Sequence, residues 1–465
     1  MPQLSLSQDL TQDLASVQEV HTLMANAKIA QKKLQEFDQD SIDRMVSAMA
    51  KAGYAAREEL ATLAVEETGF GNWEDKVTKN IVSTQHLYDY IKNLKTCGII
   101  SKEQDRGLWE VASPMGIVAG FIPSTNPTST MMYKAIIALK SRNTLIASPH
   151  PRSTRSTIAA AKIMQQAAET AGAPAHSIQC LSLPTREGKS TLMCHPATDV
   201  ILATGSTALV RAAHASGKPA YGVGAGNVPA FIEATAQVPK AVADIFFGKT
   251  FDYGTLCSSE QSIVCDTSIA TQVRAECDRQ GGYFLNPAEV QQLSDYMFTD
   301  GQKLNPKVVG CSALKLAKMA GLIVPITTRV LIAELAGVGH SYPLSGEKLS
   351  SVLAFYVVDG WTAGLEKCVA ILQFGGMGHS AALHSQSEQV IEAFVLKQPA
   401  HRILINTVAA VGAVGYTTSL APGFSLGAGT IGGSITTDNI GPLNLLNIKR
   451  IGFEVNPLHD TNGDR

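Results

Sequence analysis

The stretch Gly116-Ile117-Val118-Ala119-Gly120-Phe121-Ile122-Pro123-Ser124-Thr125-Asn126-Pro127-Thr128-Ser129 decides how this chain folds. Its first seven residues are an unbroken apolar run, the pattern of a strand covered on both faces, and Pro123 closes it. The polar loop that follows sits at the C-terminal end of that strand, where open α/β sheets bind ligands. Asn126 in this loop has an amide able to donate to a developing oxyanion. A capped turn into the next helix fits the same residues.

The alternation continues outward from this strand. A helix pattern over Met131–Lys140 leads to a second apolar strand at 144–147. The helix at 156–171 stops at Gly172, and further strands at 200–204 and 229–233 flank a helix at 206–216. Strands separated by helices of this length predict βαβ units and a mainly parallel sheet. A second α/β block spans 236–420, with strands at 261–266 and 330–333 and helices at 268–280 and 363–374. Residues 1–95 read as helical. Leu6, Leu10, Leu14 and Val17 recur there at helical spacing, as a docking face or as a face packed on its own domain. Beyond 421 the chain is rich in glycine, threonine and asparagine, with one last strand suggested by Leu443, Leu445, Leu446 and Ile448.

Composition narrows the function. The chain has 465 residues, 45% hydrophobic and 17% charged, with a formal net charge of −2. It can bury a large core in two or three domains, and it lacks the basic excess of a nucleic-acid-binding protein. Its eight cysteines show no CxxC spacing and no histidine cluster to complete a metal site, so none is predicted. The first residues do not form a secretory signal and no apolar run is long enough to span a membrane, so the expected location is cytoplasmic. The thiols are then free.

Three segments can carry chemistry. Gly222-Val223-Gly224-Ala225-Gly226-Asn227 precedes a strand instead of following one and holds Asn227 where a dinucleotide fingerprint has its third glycine. Gly205-Ser206-Thr207 follows a strand and opens a helix, as a phosphate-binding turn or as an ordinary turn capped by Ser206. Cys257, in Gly254-Thr255-Leu256-Cys257-Ser258-Ser259-Glu260-Gln261, has polar neighbours that suit a partly exposed thiol. Cys265, inside an apolar strand, suits packing.

In order along the chain, GIVAGFIPSTNPTSTMMYKAIIALKSRNTLIASPHPR, ILATGSTALVRAAHASGKPAYGVGAGNVPAFIE, KTFDYGTLCSSEQSIV, GEKLSS, GGMGHSA and RILINT resemble the CoA-acylating aldehyde dehydrogenases. The likeness covers roughly residues 20–450 and is strongest to the aldehyde dehydrogenase half of bifunctional aldehyde–alcohol dehydrogenases. It implies an α/β aldehyde dehydrogenase fold with three parts. A Rossmann-like cofactor domain spans 1–235 with a return of the chain at 421–442, and an α/β catalytic domain spans 236–420. Oligomerisation strands at 97–113 and 443–458 would make a homodimer or a dimer of dimers.

The resemblance also assigns roles. Cys257 is the nucleophile, Asn126 and the Cys257 N–H form the oxyanion hole, and Gly205 and Ser206 hold the pyrophosphate. Glu347 holds the nicotinamide ribose, and His379 lies where the CoA thiol works. Arg152 and Arg155, with no carboxylate beside them, would tolerate or favour a 2′-phosphate, Arg155 being the distinctive one, so NAD or NADP is the expected cofactor, with coenzyme A as co-substrate. Hydrolytic aldehyde dehydrogenases carry a carboxylate in the segment matching GVGAGN to activate water, and this chain has none there. Val408–Tyr416 departs from the corresponding loop of similar chains and holds no lysine, so a short neutral aldehyde is expected and sulfoacetaldehyde is the first alternative. A hydrolytic enzyme or a non-catalytic scaffold are the other readings.

Overall fold

The computed structural model describes residues 3–299 and 303–456, with side chains from Leu10 onward. The decisive stretch forms the strand Ile117–Phe121, every residue of which is buried. It is central in a five-stranded parallel sheet, in the order Ile178–Cys180, Thr144–Ser148, Ile117–Phe121, Val200–Thr204, Ala220–Val223. The helix Pro127–Lys140 covers one face and is buried along its whole length. Even Lys134 is inside, where its Nζ donates to Phe121 O at 2.7 Å and Leu202 O at 2.9 Å and so ties two strand ends together. Burial with no counter-ion holds that amine well below its ordinary range.

A second, seven-stranded parallel sheet runs in the order Gly282–Phe284, Val330–Glu334, Val352–Val358, Glu260–Asp266, Val228–Ile232, Gly378–His384, Ala400–Ile405. The strand predicted at 229–233 belongs here, between Glu260–Asp266 and Gly378–His384, and not beside the strands that precede it in sequence. An all-apolar strand fits either sheet, and only its pairing partners decide between them. The glycine-rich 222–227 segment is therefore the crossing from one sheet to the other. Later in the chain, residues 423–445 return to the first sheet. Ser425 Oγ lies 2.8 Å from Thr204 Oγ1, Tyr221 donates its hydroxyl to Asn444 O at 2.7 Å, and Asn143 Nδ2 donates to Leu445 O at 2.9 Å.

The third sheet is antiparallel. It joins Gly98–Glu103, Leu108–Pro114 and Leu446–Gly452, with the middle strand paired on both sides. Positions 457 and 458 of the strand expected at 443–458 lie outside the described residues. The N-terminal helix Gln3–Leu34 packs on the first sheet through Val20, Met24 and Ala27. Leu10 and Leu14 of the predicted stripe face away from it, exposed, and the Leu6 side chain lies outside the described ones. No described helix is long and apolar enough to cross a membrane.

Candidate active site

The loops of the two sheets converge on a cavity of about 800 Å³. The first sheet supplies the C-terminal ends of its strands, with Ile122–Asn126, Ser148–His150, Thr204–Thr207 and Val223–Gly224 in the lining. The second supplies residues that lead into its strands, namely Ala225, Cys257, Glu347 and Leu349. Five predicted site residues, Asn126, Gly205, Ser206, Cys257 and Glu347, thus share one wall system. A larger cavity of about 1010 Å³ opens at the C-terminal ends of Val330–Glu334 and Val352–Val358, and none of the predicted residues lines it.

Cys257 is half-buried, just before the strand Glu260–Asp266, after a turn of three left-handed residues: Asp252 (φ 46°), Tyr253 (φ 49°) and Gly254 (φ 72°). Two of these are not glycine and carry strain of about 1–3 kcal/mol each. The Asp252 carboxylate over-determines the turn. It accepts from Lys76 Nζ at 2.8 Å, Thr255 Oγ1 at 2.6 Å, the Asn72 N–H at 3.0 Å, and Lys79 Nζ. Burial pushes this carboxyl up, but the two lysine charges outweigh it and leave it below the ordinary range.

The same network reaches Asn126. Lys79 Nζ donates to Asn126 Oδ1 at 2.6 Å, which fixes the amide so that Nδ2 is its donor end, 3.1 Å from Thr125 Oγ1. Asn126 occupies the N-cap position of Pro127–Lys140, yet its side chain makes no capping bond and is available to the cavity. Burial lowers Lys79 to about 8 against the opposing Asp252 charge. Lys76, Lys79 and Asp252 are the functional neighbours that sequence reasoning missed. Two lysines three residues apart in a polar helix read as a solvated face, and the only trace was Asp252 inside the quoted KTFDYGTLC.

Burial pushes the Cys257 thiol up to about 12. The Glu347 charge adds to this, while Arg402 and Lys79 pull the other way. The resting group is therefore a thiol. Glu347 is itself raised to about 7 by burial, and its Oε1 accepts from the Gly226 N–H at 3.1 Å. Gly226 is required by close approach, since a Cβ there would lie 2.0 Å from the Cys257 carbonyl oxygen.

The remaining predicted residues lie off this wall. His379 is buried behind Gly226, with Nδ1 3.0 Å from Ser380 Oγ and no partner for Nε2 among the described residues. Burial, then the Arg402 charge, holds its imidazole at about 3, so it is neutral. Arg402 is spent on carbonyl oxygens, including those of His379 at 3.1 Å and Gly427 at 2.7 Å. Arg155 contributes its backbone N–H to Glu67 at 2.7 Å, and its side chain does not line the cavity. Arg152 stands behind His150, whose Nδ1 accepts from the Arg152 N–H at 3.1 Å. Ser206 Oγ accepts from the Leu209 N–H at 3.3 Å and so caps the helix Thr207–Ala215.

The aldehyde dehydrogenase family model matches residues 10–280. The chain is 41% identical to the bifunctional aldehyde-alcohol dehydrogenase AdhE of Escherichia coli over 94% of its length, and it spans only about half (50%) of that relative. It is 35% identical to a succinate-semialdehyde dehydrogenase (acetylating) of Clostridium kluyveri, covering 93% of this chain and 95% of that one. Among solved structures, an acetylating aldehyde dehydrogenase from Geobacillus thermoglucosidasius superposes with TM-score 0.95 at 48% identity, over 97% of this chain and 99% of the other. By family model, near full-length relative and superposed fold alike, the chain belongs to the aldehyde dehydrogenase family, in its acylating branch.

Proposed function

We propose that the chain oxidises a short neutral aldehyde with NAD(P)+ through a thioester on Cys257 and passes the acyl group to coenzyme A. The carrying observation is the wall built by 222–227. It presents Val223, Gly224 and Ala225 to the cavity, with no carboxylate. Asn227 ends the segment buried, its Nδ2 donating to Ser345 O at 3.0 Å and Ile371 O at 3.1 Å. Water attack on an acyl-enzyme needs a positioned base; the segment's own residues offer none, and the neighbouring Glu347 carboxylate is engaged by the Gly226 N–H. A thiol is a better nucleophile than water near neutral pH and needs less activation.

Gly205, Ser206 and Thr207 at the start of Thr207–Ala215 suit the pyrophosphate of the cofactor, because glycine permits close approach to the helix N-terminus. Bound NAD(P)+ supplies the hydride acceptor and a cationic ring whose charge favours the thiolate. The Cys257 sulfur attacks the aldehyde carbon, and the oxygen that becomes anionic takes hydrogen bonds from Asn126 Nδ2 and the Cys257 N–H. Lys79 holds the Asn126 amide in that orientation. After oxidation the acyl group remains on Cys257 as a thioester until the coenzyme A thiol displaces it.

The aldehyde end of the cavity is apolar. Val414 from the divergent 408–416 loop, Phe424 and Leu426 line it with Leu256, and no free cation stands among them to hold a sulfonate. This supports the short neutral aldehyde over sulfoacetaldehyde. We place the chain in the cytoplasm, as a homodimer or dimer of dimers built on the three-stranded sheet. Ile99, Phe453 and Val455 are exposed on or beside that sheet. A single turnover with acetaldehyde and NAD(P)+, with and without coenzyme A, tests the reaction. Acyl-CoA formed with it, and little carboxylate without it, is expected. Carboxylate released at equal rates without coenzyme A overturns the reading.

A further inference from the structure

Residues 408–415, VAAVGAVG, carry no polar side chain, so side chains from elsewhere must anchor the backbone of this loop. Ala409–Gly412 form one buried helical turn, whose first N–H groups have no partner within it. Glu260 Oε1 accepts from the Ala409 N–H at 2.6 Å, and Ser258 Oγ donates to Ala410 O at 2.8 Å. Further along, Asn439 Nδ2 donates to Ala413 O at 2.8 Å, and Arg402 Nε donates to Asn439 Oδ1 at 2.6 Å. The next residue, Val414, lines the cavity with Leu256 and Cys257.

Two of these three anchors belong to the segment of the nucleophile. Ser258 and Glu260 closely follow Cys257 in the chain, and both are fully buried. Glu260 Oε2 has no hydrogen-bond partner among the described residues and rests against Gly248, where a Cβ would lie 2.0 Å from it. Burial raises the carboxyl to about 8, against backbone N–H groups and the Lys249 charge, so near neutral pH it is an uncharged acid. Burying a polar group is costly unless its bonds compensate, and Oε1 bonds to a loop 149 residues away in sequence.

We propose that Glu260, with Ser258, is a clamp that sets the depth of the aldehyde pocket, by fixing residues 409 and 410 to the thiol segment and so holding the Val414 wall in place relative to Cys257. Neither clamp residue lines the cavity. Glu260 is therefore a positioning residue that acts through Val414. The assignment rests on the reading above, in which this end of the cavity takes the aldehyde. With the Ala409 N–H paired, the wall stays close to the thiol and favours a short chain. With that N–H unpaired the turn loosens, and longer chains gain relative to short ones.

The ratio of kcat/KM for acetaldehyde to that for hexanal, with NAD(P)+ and coenzyme A, tests this, because the ratio is independent of how much of a variant is folded. Val414→Ala, which shortens the wall itself, should lower the ratio by about tenfold, the low end for a methylene-sized change in an apolar pocket. Glu260→Leu should lower it by a similar factor and leave the KM for NAD(P)+ within about twofold. Glu260→Gln keeps an acceptor for the Ala409 N–H and should restore the ratio. Ser258→Ala should move it in the same direction as Glu260→Leu, and it carries the test if Glu260→Leu does not fold. The double variant of Glu260→Leu with Val414→Ala should go little beyond either alone, since both act through one wall. A ratio unchanged in Glu260→Leu and Ser258→Ala overturns the clamp alone, as does an equal fall in Glu260→Gln or a double variant in which the two factors multiply. A ratio unmoved by Val414→Ala takes the aldehyde away from this wall, and the clamp falls with it. No acyl-CoA from the unaltered chain overturns the proposed reaction as well.

Discussion

The five-stranded sheet meets the cavity with the C-terminal ends of its strands, and the seven-stranded sheet meets it from the N-terminal side of its own. The first contribution follows the general rule for open parallel sheets. Ligand-facing loops leave strand ends, and glycine or small residues let a phosphate approach backbone amides. The second contribution is less usual. Cys257 enters the strand Glu260–Asp266 through a strained turn, and the buried lysines of an N-terminal helix hold that turn in place. One sheet supplies a permissive surface for binding, and the other supplies a constrained position for reaction. If that division holds, binding and chemistry separate under mutation.

The largest separation is expected at the proposed nucleophile. Cys257→Ala should lower aldehyde oxidation by about 10⁴-fold or more while NAD+ binding, measured by calorimetry, changes less than about twofold. Full NAD(P)H production by this variant would sink the catalytic assignment of Cys257. Next comes the proposed oxyanion donor. Asn126→Ala should cost about 10²–10³-fold in kcat, with the cofactor KM little changed. Lys79→Met leaves the Asn126 donor in place but frees its orientation, and should cost about tenfold in kcat. Breaking the buried pair with Asp252 should also cost about 3–5 kcal/mol of stability. Lys79→Arg keeps the charge and should recover most of that stability. An effect of Lys79→Met on stability alone, with kcat intact, would confine the lysine to the fold.

How far the chain could be read before its structure follows the same division. The binding side was legible because its signals are local. An apolar strand, a polar loop with Asn126, and Gly205-Ser206-Thr207 between strand and helix each lie within a few residues. The reactive side was legible in Cys257, from its polar neighbours and the resemblance, and in Glu347, from the resemblance alone. Lys79 and Asp252 are 173 residues apart in sequence, and no spacing rule joins them. The strand Val228–Ile232 was recognised as a strand but set beside the wrong neighbours, since burial on both faces says nothing of partners. His379, expected where the coenzyme A thiol works, lies buried and neutral behind Gly226, a depth that a short motif does not show.

Electrostatics at the thiol gives a smaller and signed effect. The Glu347 charge raises the Cys257 pKa, so removing the charge lowers it and increases the thiolate fraction at a given pH. Glu347→Gln should therefore speed iodoacetamide alkylation of Cys257 by about three- to tenfold at pH 8. Exposed Cys194 serves as an internal reference by peptide mass spectrometry. The acceleration should shrink as pH falls below about 7, where Glu347 itself becomes protonated in the unaltered chain. An unchanged rate at pH 8 would mean that burial alone sets the thiol.

The smallest effect expected is at Arg155, and its smallness is informative. A 2′-phosphate reader must present its guanidinium to the cavity, and this residue instead gives its backbone N–H to Glu67, on a helix that packs against its own. The Glu67 carboxylate at the start of Thr154–Thr170 also complements the helix dipole, so that terminus is satisfied without a ligand. Arg155→Ala removes a side chain and not this backbone contact. The ratio of NAD+ to NADP+ affinities should therefore change by less than about twofold, within the range for surface substitutions away from a site. A shift of tenfold toward NAD+ would return phosphate recognition to the start of that helix.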